Sequence, residues 1–245
     1  MNDDLNVLKQ FLEIPVGSSD GVFDLFRQIP NMVFKGEKQK RFLYVKGFRQ
    51  DKVLLVAHAD TVWDKNYKKP FDSKQEVLFD DGIFRSVTTG CGIGADDRAG
   101  CAMLWLLKDM GHSLLVTDGE EHHQAGAAWL MSHNEDIAHE INRDHQFVVE
   151  LDRCNGGDFK CYKVGTDEFR RDVAKETDYN DADNDKKLFT DITKLCKSIT
   201  GVNLSIGYYN EHHSNEYLKV EEWKNTLDLC KRWLGREDLP RYILK

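Results

Sequence analysis

From residue 53 onward, short apolar segments alternate with amphipathic segments, and this alternation constrains the fold more than any other feature of the sequence. The apolar segments predict strands at residues 53–58, 113–117, 146–151 and 203–208. The segments between and after them predict helices at residues 97–110, 124–132, 187–199 and 220–234. Such alternation predicts an α/β fold, a three-layer α/β/α sandwich with a mixed, mostly parallel central sheet.

The remaining segments are shorter or more polar. They predict helices at residues 3–12 and 21–29, a strand at 41–45 and a hairpin at 77–87 that turns at Asp81-Gly82. Residues 165–187 are dense in charged side chains and poor in large apolar ones, which predicts a solvated loop with room for one short helix. An active-site flap is the alternative for this segment.

Charge and cysteine content exclude several classes of partner and location. The 245 residues include 42 acidic and 34 basic ones, for a net charge of -8, which disfavours nucleic acid as a partner. No segment approaches the ~20 apolar residues that span a bilayer, and the acidic start of the chain does not resemble a signal peptide, so we expect a cytoplasmic protein without a membrane partner. The six cysteines form no CxxC pair, which predicts reduced thiols.

A histidine or an acidic residue ends or follows each of the four strands of the alternating part. These residues are His58 with Asp60, Glu120 with Glu121, Asp152, and His212 with His213, and Asp96 opens the helix after the hairpin. Because ligands of α/β sheets bind at the carboxyl ends of the strands, we expect these side chains to lie together. Each alone has an ordinary structural explanation, such as capping a helix, but together they would repel strongly unless cations lay among them.

Imidazole and carboxylate donors together suit Zn²⁺ and related divalent ions, and one carboxylate can bridge two of them. The sequence therefore predicts two divalent metal ions per chain, with Zn²⁺ the expected metal. Two such ions can hold one hydroxide and polarise a carbonyl, while a free carboxylate moves the proton. This is the chemistry of amide hydrolysis.

Five motifs follow one another along the chain. They are His58-Ala59-Asp60, Gly94-Ala95-Asp96-Asp97-Arg98-Ala99-Gly100, Gly119-Glu120-Glu121 with Gly126-Ala127, Glu150-Leu151-Asp152, and His212 with Glu216. In this order they resemble the motifs of the co-catalytic di-zinc exopeptidases, which include peptidase T, the carboxypeptidase G type and the leucyl and glutamyl aminopeptidases. The opening Phe11-Leu12-Glu13-Ile14-Pro15 also resembles the start of peptidase T-like chains.

The resemblance implies a zinc exopeptidase-like fold and a role for each matching residue. His58 and Asp152 would bind one metal, Glu121 and His212 the other, and Asp96 would bridge them. Glu120 would be the general base, and Asp60 would orient the imidazole of His58 by a hydrogen bond. His213 stays open as an alternative last ligand, because it precedes a serine as the ligand does in some relatives.

The longer members of the family insert a lid or dimerisation domain before the final histidine, but here His212 follows Asp152 by only 60 residues. We therefore expect a single catalytic domain over residues 1–245, with substrate recognition by loops at 63–75 and 165–187. The expected activity is hydrolysis of small peptides by an aminopeptidase-like exopeptidase. The alternatives are a non-peptide amidohydrolase or deacylase acting on N-acyl amino acids, and a non-catalytic metal-binding relative.

Overall fold

The computed structural model describes residues 3–63, 74–182 and 189–244. Its larger sheet has eight strands. Across the sheet they are β1 (Val33–Glu37), β2 (Lys40–Val45), β6 (Ser113–Thr117), β3 (Leu54–His58), β7 (Val148–Arg153), β10 (Gly201–Ser205), β8 (Asp158–Lys160) and β9 (Asn180–Asp181). The four central strands β6, β3, β7 and β10 are parallel, and antiparallel pairs occur on both sides of them. The predicted mixed, mostly parallel sheet is confirmed.

Alternate side chains of the sheet face two different layers of helices. In β3, Leu55 and Ala57 contribute to one buried cluster, and Leu54 and Val56 to the other. The first layer holds α1 (Asp3–Leu12), α2 (Asp20–Phe26), α3 (Ala95–Leu107), α6 (Asp167–Thr177) and α8 (Val220–Leu234). The second holds α4 (Ala125–His133), α5 (Glu135–Asp144) and α7 (Asp191–Leu195). The sheet thus lies between two helical layers, as the sequence predicts.

A second, smaller sheet is antiparallel throughout. Its strands, in order, are β11 (Tyr208–Tyr209), β12 (Tyr217–Lys219), β5 (Ile83–Ser86) and β4 (Val77–Asp80). The predicted hairpin is confirmed, since Asp80 pairs with Ile83 and the two turn residues, Asp81 and Gly82, both have positive φ. The connection from β11 to β12 contains His212, so this sheet fixes where that side chain lies.

Within residues 165–187, for which the sequence predicts a solvated loop with room for one short helix, the structure has one helix that is longer than expected and partly buried. Residues Asp167–Thr177 form α6, an 11-residue helix whose first turn is capped by Thr166, which accepts a hydrogen bond from Phe169 N. Phe169 and Val173, one helical turn apart, are buried against the first layer. The high charge of the segment belongs to the exposed side of an amphipathic helix.

Other elements differ from the sequence-based prediction in length or were not predicted. Strands β1, β8, β9 and β12 and helix α5 are additional among the described residues, and the predicted strand at 203–208 divides into β10 and β11. Of the helix predicted at 187–199, the described residues form only α7. Residues 187 and 188 of that predicted helix lie outside the described part of the chain. Most of the predicted loop at 63–75 and residues 183–187 of the predicted loop at 165–187 lie outside it as well.

No disulfide joins the six cysteines, all of which lie in the described part of the chain. Within residues 3–63, 74–182 and 189–244, the helices are too short or too polar to cross a bilayer.

His145, which follows α5, is a buried histidine that the fold needs in its neutral form. Its Nδ1 donates to the backbone oxygen of Glu140 at 3.2 Å, so its Nε2, 2.8 Å from Ser113 Oγ, acts as an acceptor. Burial lowers the pKa of His145 to about 4. In the unfolded chain the imidazole of His145 takes up a proton near pH 6.5, whereas in the folded protein it does so only near pH 4. His145 therefore contributes its full stability above pH 6.5, and this contribution is lost as the pH falls toward 4.

We expect the free energy of unfolding to fall between pH 7 and pH 5 by about 2 kcal/mol more in the wild type than in His145→Gln. Denaturant unfolding at both pH values measures this difference. The exposed His139 of α5 supplies a matched control, since His139→Gln should keep the wild-type pH dependence. Equal pH dependence in all three proteins would contradict the assignment.

Candidate metal centre

The carboxyl ends of the central parallel strands place acidic and imidazole side chains at one edge of the larger sheet. His58 ends β3, Asp152 lies near the end of β7, and the turn with Glu120 and Glu121 follows β6. Asp96 comes from the first turn of α3, and His212 from the connection between β11 and β12. Side chains from five separate segments of the chain therefore meet at one place.

Two groups of three donors could each hold a metal ion. In the first group, His58 Nε2 lies 3.1 Å from Asp96 Oδ1 and 3.2 Å from Asp152 Oδ1. In the second, His212 Nε2 lies 3.1 Å from Asp96 Oδ2 and also contacts Glu121 Oε1. Asp96 belongs to both groups and presents one oxygen to each imidazole.

The donor set fits two divalent ions. Within each group the donor atoms lie within 4.8 Å of one another, and both groups combine an imidazole with carboxylates. Asp96 Oδ1 is buried, and apart from its 3.1 Å contact with His58 Nε2 it makes no hydrogen bond among the described residues. A buried carboxylate is costly unless positive charge lies beside it, and a cation between the donors of each group would supply that charge.

The carboxylates raise the proton affinity of both imidazoles. Burial alone would lower the pKa of His58, but Asp152, Asp60 and Asp96 outweigh it and hold that pKa well above its usual value. Burial would also lower the pKa of His212, but Asp96 and Glu121 outweigh it and raise that pKa to about 10. The centre therefore has a strong demand for positive charge, which either protons or metal ions can meet.

Asp60 anchors the turn that carries Glu120 and Glu121. Its Oδ1 accepts from Gly119 N at 2.8 Å and from Glu120 N at 3.2 Å, and its Oδ2 accepts from Glu121 N at 3.2 Å. Gly119 has φ of 86°, and a Cβ there would lie 2.3 Å from the backbone oxygen of Gln39, so this turn requires glycine.

The contact between Asp60 and His58 differs in detail from the sequence-based expectation. The Nδ1 atom of His58 donates to the backbone oxygen of Asp60 at 2.9 Å, whereas the carboxylate oxygen Oδ1 is 3.4 Å away. The imidazole is thus oriented mainly by the main chain, and this leaves its Nε2 facing the donor group. The carboxylate is engaged by the backbone of the neighbouring turn, which a sequence motif does not reveal.

Further side chains hold the predicted ligands in place, and sequence analysis assigned them no role. Glu216 accepts from Asp96 N at 3.0 Å and from Gly94 N at 2.6 Å, which fixes the start of α3. Tyr208 donates to Asp152 Oδ1 at 3.3 Å, and Thr190 donates to Asp152 Oδ2 at 3.4 Å. Only the acidic Glu216, at a fixed spacing from His212, gave a signal that could have been used.

Glu120 belongs to neither donor group but lines the same cavity, which has a volume of about 150 Å³. Burial raises the pKa of Glu120, and the nearby Asp152, Asp191 and Glu150 raise it further, against the opposing effect of His58. The remaining lining residues are Asp96, Glu121, Asp152, Arg153, Cys154, Tyr162, Phe189, Thr190, Tyr208, Glu211 and His212. A carboxylate that belongs to neither donor group thus faces the cavity beside them.

The structure places His212, and not His213, beside the other predicted ligands. His213 is exposed, and its Nδ1 lies 2.7 Å from the backbone oxygen of Glu211. Of the two residues left open by the sequence, His212 has the position that a last ligand needs.

Comparison with known proteins supports the fold and leaves the family unassigned. No family model matches the chain, and no curated protein matches it. Among solved structures, the chain resembles aminopeptidase PepT from Bacillus cereus (TM-score 0.64, 14% identity, 95% of this chain and 97% of that chain). It also resembles a tripeptidase from Staphylococcus aureus (TM-score 0.64, 13% identity, 95% and 98%) and the TET1 peptidase from Pyrococcus horikoshii (TM-score 0.63, 14% identity, 96% and 100%). At these identities the likeness establishes a shared fold.

The two donor groups predict the metal content of the purified protein. After equilibration with zinc and removal of loosely bound ions, elemental mass spectrometry should find about two ions per chain. Asp96→Ala, which removes the shared donor, should lose at least one ion, while the control Asp109→Ala, at a fully exposed site, should keep both. His212→Ala should lose one ion and His213→Ala none; the reverse result would make His213 the ligand.

Proposed function

We propose that this protein is a metal-dependent exopeptidase that hydrolyses small peptides from the amino end. The observation that carries this proposal is the pair of donor groups sharing Asp96, with Glu120 free beside them in the same cavity. A single structural ion would need neither a carboxylate shared by two donor groups nor a further carboxylate outside both groups. The fold shared with solved aminopeptidase and tripeptidase structures agrees with this function.

In this proposal His58, Asp96 and Asp152 would hold one ion, and Asp96, Glu121 and His212 would hold the second. When bound, such ions supply Lewis acidity that polarises a carbonyl and lowers the pKa of water, and Zn²⁺ is the expected metal. The protein's own contribution is rigid geometry. Main-chain hydrogen bonds fix the His58 imidazole and the glutamate turn before a substrate arrives.

Glu120 moves the proton. Its carboxylate takes a proton from the attacking water and returns it to the nitrogen of the leaving amine, so the amide bond breaks without releasing a strongly basic amide ion. Asp60 supports this role, because it binds the backbone N–H groups of the turn that carries Glu120. The general base therefore starts from a fixed backbone position.

The charge of the cavity favours an ammonium group over a carboxylate at the substrate's end. Arg153 also lines the cavity, but its Nε and Nη2 donate to Asp158 at 3.0 and 2.8 Å, so its charge is already balanced. Glu211 lines the cavity as well, and no lysine, arginine or histidine among the described residues forms an ion pair with its carboxylate. We assign Glu211 as the group that receives the free α-ammonium of a peptide.

We further propose that the chain is one catalytic domain without an inserted lid. The segment between Asp152 and His212 contributes β8, β9 and β10 to the larger sheet, and α6 and α7 to the two helical layers. These elements extend the catalytic fold, so recognition of the substrate depends on residues around the cavity.

Replacing Glu120 by glutamine removes the proton acceptor while keeping the size of the side chain. We expect kcat for a dipeptide to fall at least about 100-fold, with metal content unchanged. The exposed Glu37 gives the control Glu37→Gln, which should retain wild-type kcat. Substantial activity in Glu120→Gln would show that another residue is the base.

The role of Glu211 is tested with peptides that differ only at the amino end. Glu211→Gln should raise the KM for dipeptides with a free amino group roughly fivefold, because one partly exposed charge interaction is lost. Wild-type protein should cleave N-acetylated dipeptides and N-acyl amino acids far more slowly. Preferential cleavage of N-acyl amino acids would contradict the proposal and favour a deacylase.

A further inference from the structure

Gln124 contacts the carboxylate of Glu120 from the beginning of α4. Its Nε2 lies 3.2 Å from Glu120 Oε1, 3.4 Å from the backbone oxygen of Phe189 and 3.5 Å from the backbone oxygen of Glu120. All three neighbouring atoms are acceptors, so the NH₂ end of the amide faces them. The side chain of Gln124 is thereby oriented as a donor to Glu120.

The backbone brings these two residues together. Gln124 N donates to the backbone oxygen of Glu120 at 2.9 Å, and Ala125 N donates to that of Gly119 at 2.8 Å, so the turn is closed on itself. Gln124 adopts a left-handed conformation with φ of 55°, which precedes the first turn of α4. With Asp60 binding the N–H groups on the other side of the turn, the backbone of Glu120 has little freedom.

We propose that Gln124 is a positioning residue that fixes the carboxylate of Glu120 in the cavity, a role that rests on the proposed function of Glu120 as general base. Its amide engages Oε1 and leaves Oε2 available for the proton of the attacking water. A hydrogen bond to a charged carboxylate is stronger than one between neutral groups, so a single donor suffices to select the orientation.

The same contact connects Glu120 to the rim of the cavity. The carbonyl of Phe189 accepts from Gln124, and the next residue, Thr190, donates to Asp152 Oδ2 at 3.4 Å. The general base and one predicted metal ligand are therefore both tied to residues 189–190. Among the described residues of this chain of contacts, Gln124 is the one whose side chain touches the carboxylate of Glu120.

Two substitutions separate the donor from the size of the side chain. Gln124→Met keeps the length but removes the donor, and Gln124→Glu keeps the shape but presents a charge that repels Glu120. We expect kcat to fall roughly tenfold in Gln124→Met and further in Gln124→Glu, with KM within about twofold of the wild type. The exposed Gln10 of α1 provides the control Gln10→Met, which should keep wild-type kinetics. Metal content and unfolding midpoints, measured on each variant, identify any that fold poorly.

A second measurement needs no substrate. In ¹⁵N-labelled protein, the side-chain amide signals of Gln124 are identified by their loss in Gln124→Met. They should shift in Glu120→Gln and stay in place in Glu37→Gln. Unshifted signals in Glu120→Gln would overturn the proposal.

Wild-type kcat in both Gln124 variants would also overturn the proposal, since the donor would then not matter for the reaction. Failure of the wild-type protein to hydrolyse any peptide would instead contradict the proposed function. In that case the amide signals still decide whether Gln124 holds the carboxylate of Glu120.

Discussion

Negative charge that is buried at the edge of the larger sheet is the constraint on which the rest of this structure depends. Asp96 faces two imidazoles, and Asp152, Glu120 and Glu121 line the same small cavity. Such a cluster is unfavourable unless positive charge lies within it, because burial and mutual repulsion both oppose ionisation. Two divalent ions would remove that penalty and make the cluster reactive. The cluster is therefore expected to lower the stability of the metal-free fold.

Hydrogen bonds from separate segments hold this cluster rigidly. The carboxylates of Asp60 and Glu216 accept from main-chain N–H groups, and the backbone oxygen of Asp60 accepts from Nδ1 of His58. Asp60 binds the turn after β6, and Glu216 binds the first residues of α3, although each is far away in sequence from the segment it anchors. Because each acceptor connects separate segments, a shift of one segment would displace the donors of another. This coupling explains how loops at a sheet edge hold side chains at fixed distances, as the proposed hydrolytic centre would need.

The central strands and the helices beside them were predictable because their side chains are strongly apolar and periodic. Strand β1 and helix α6 were harder, since each lies in a charged segment with few large apolar side chains. Strand β1 is stabilised by pairing with the neighbouring β2, and α6 by packing on α8, which is distant in sequence. The predicted ligands were found because strand ends mark positions at one edge of the sheet. Tyr208 and Thr190 were missed, since a hydroxyl group gives no pattern until the fold brings it to Asp152.

The sequence by itself determined the α/β class, the edge at which the polar residues gather and the residue types that suit two divalent ions. Local periodicity and short motifs contain that information, because neighbouring residues share one element. Only the tertiary structure decided which of His212 and His213 is the neighbour of Asp96. Only the tertiary structure, too, brought Gln124 into contact with Glu120. Those facts depend on side-chain direction and on contacts between distant segments, and a few ångströms of displacement would reverse them.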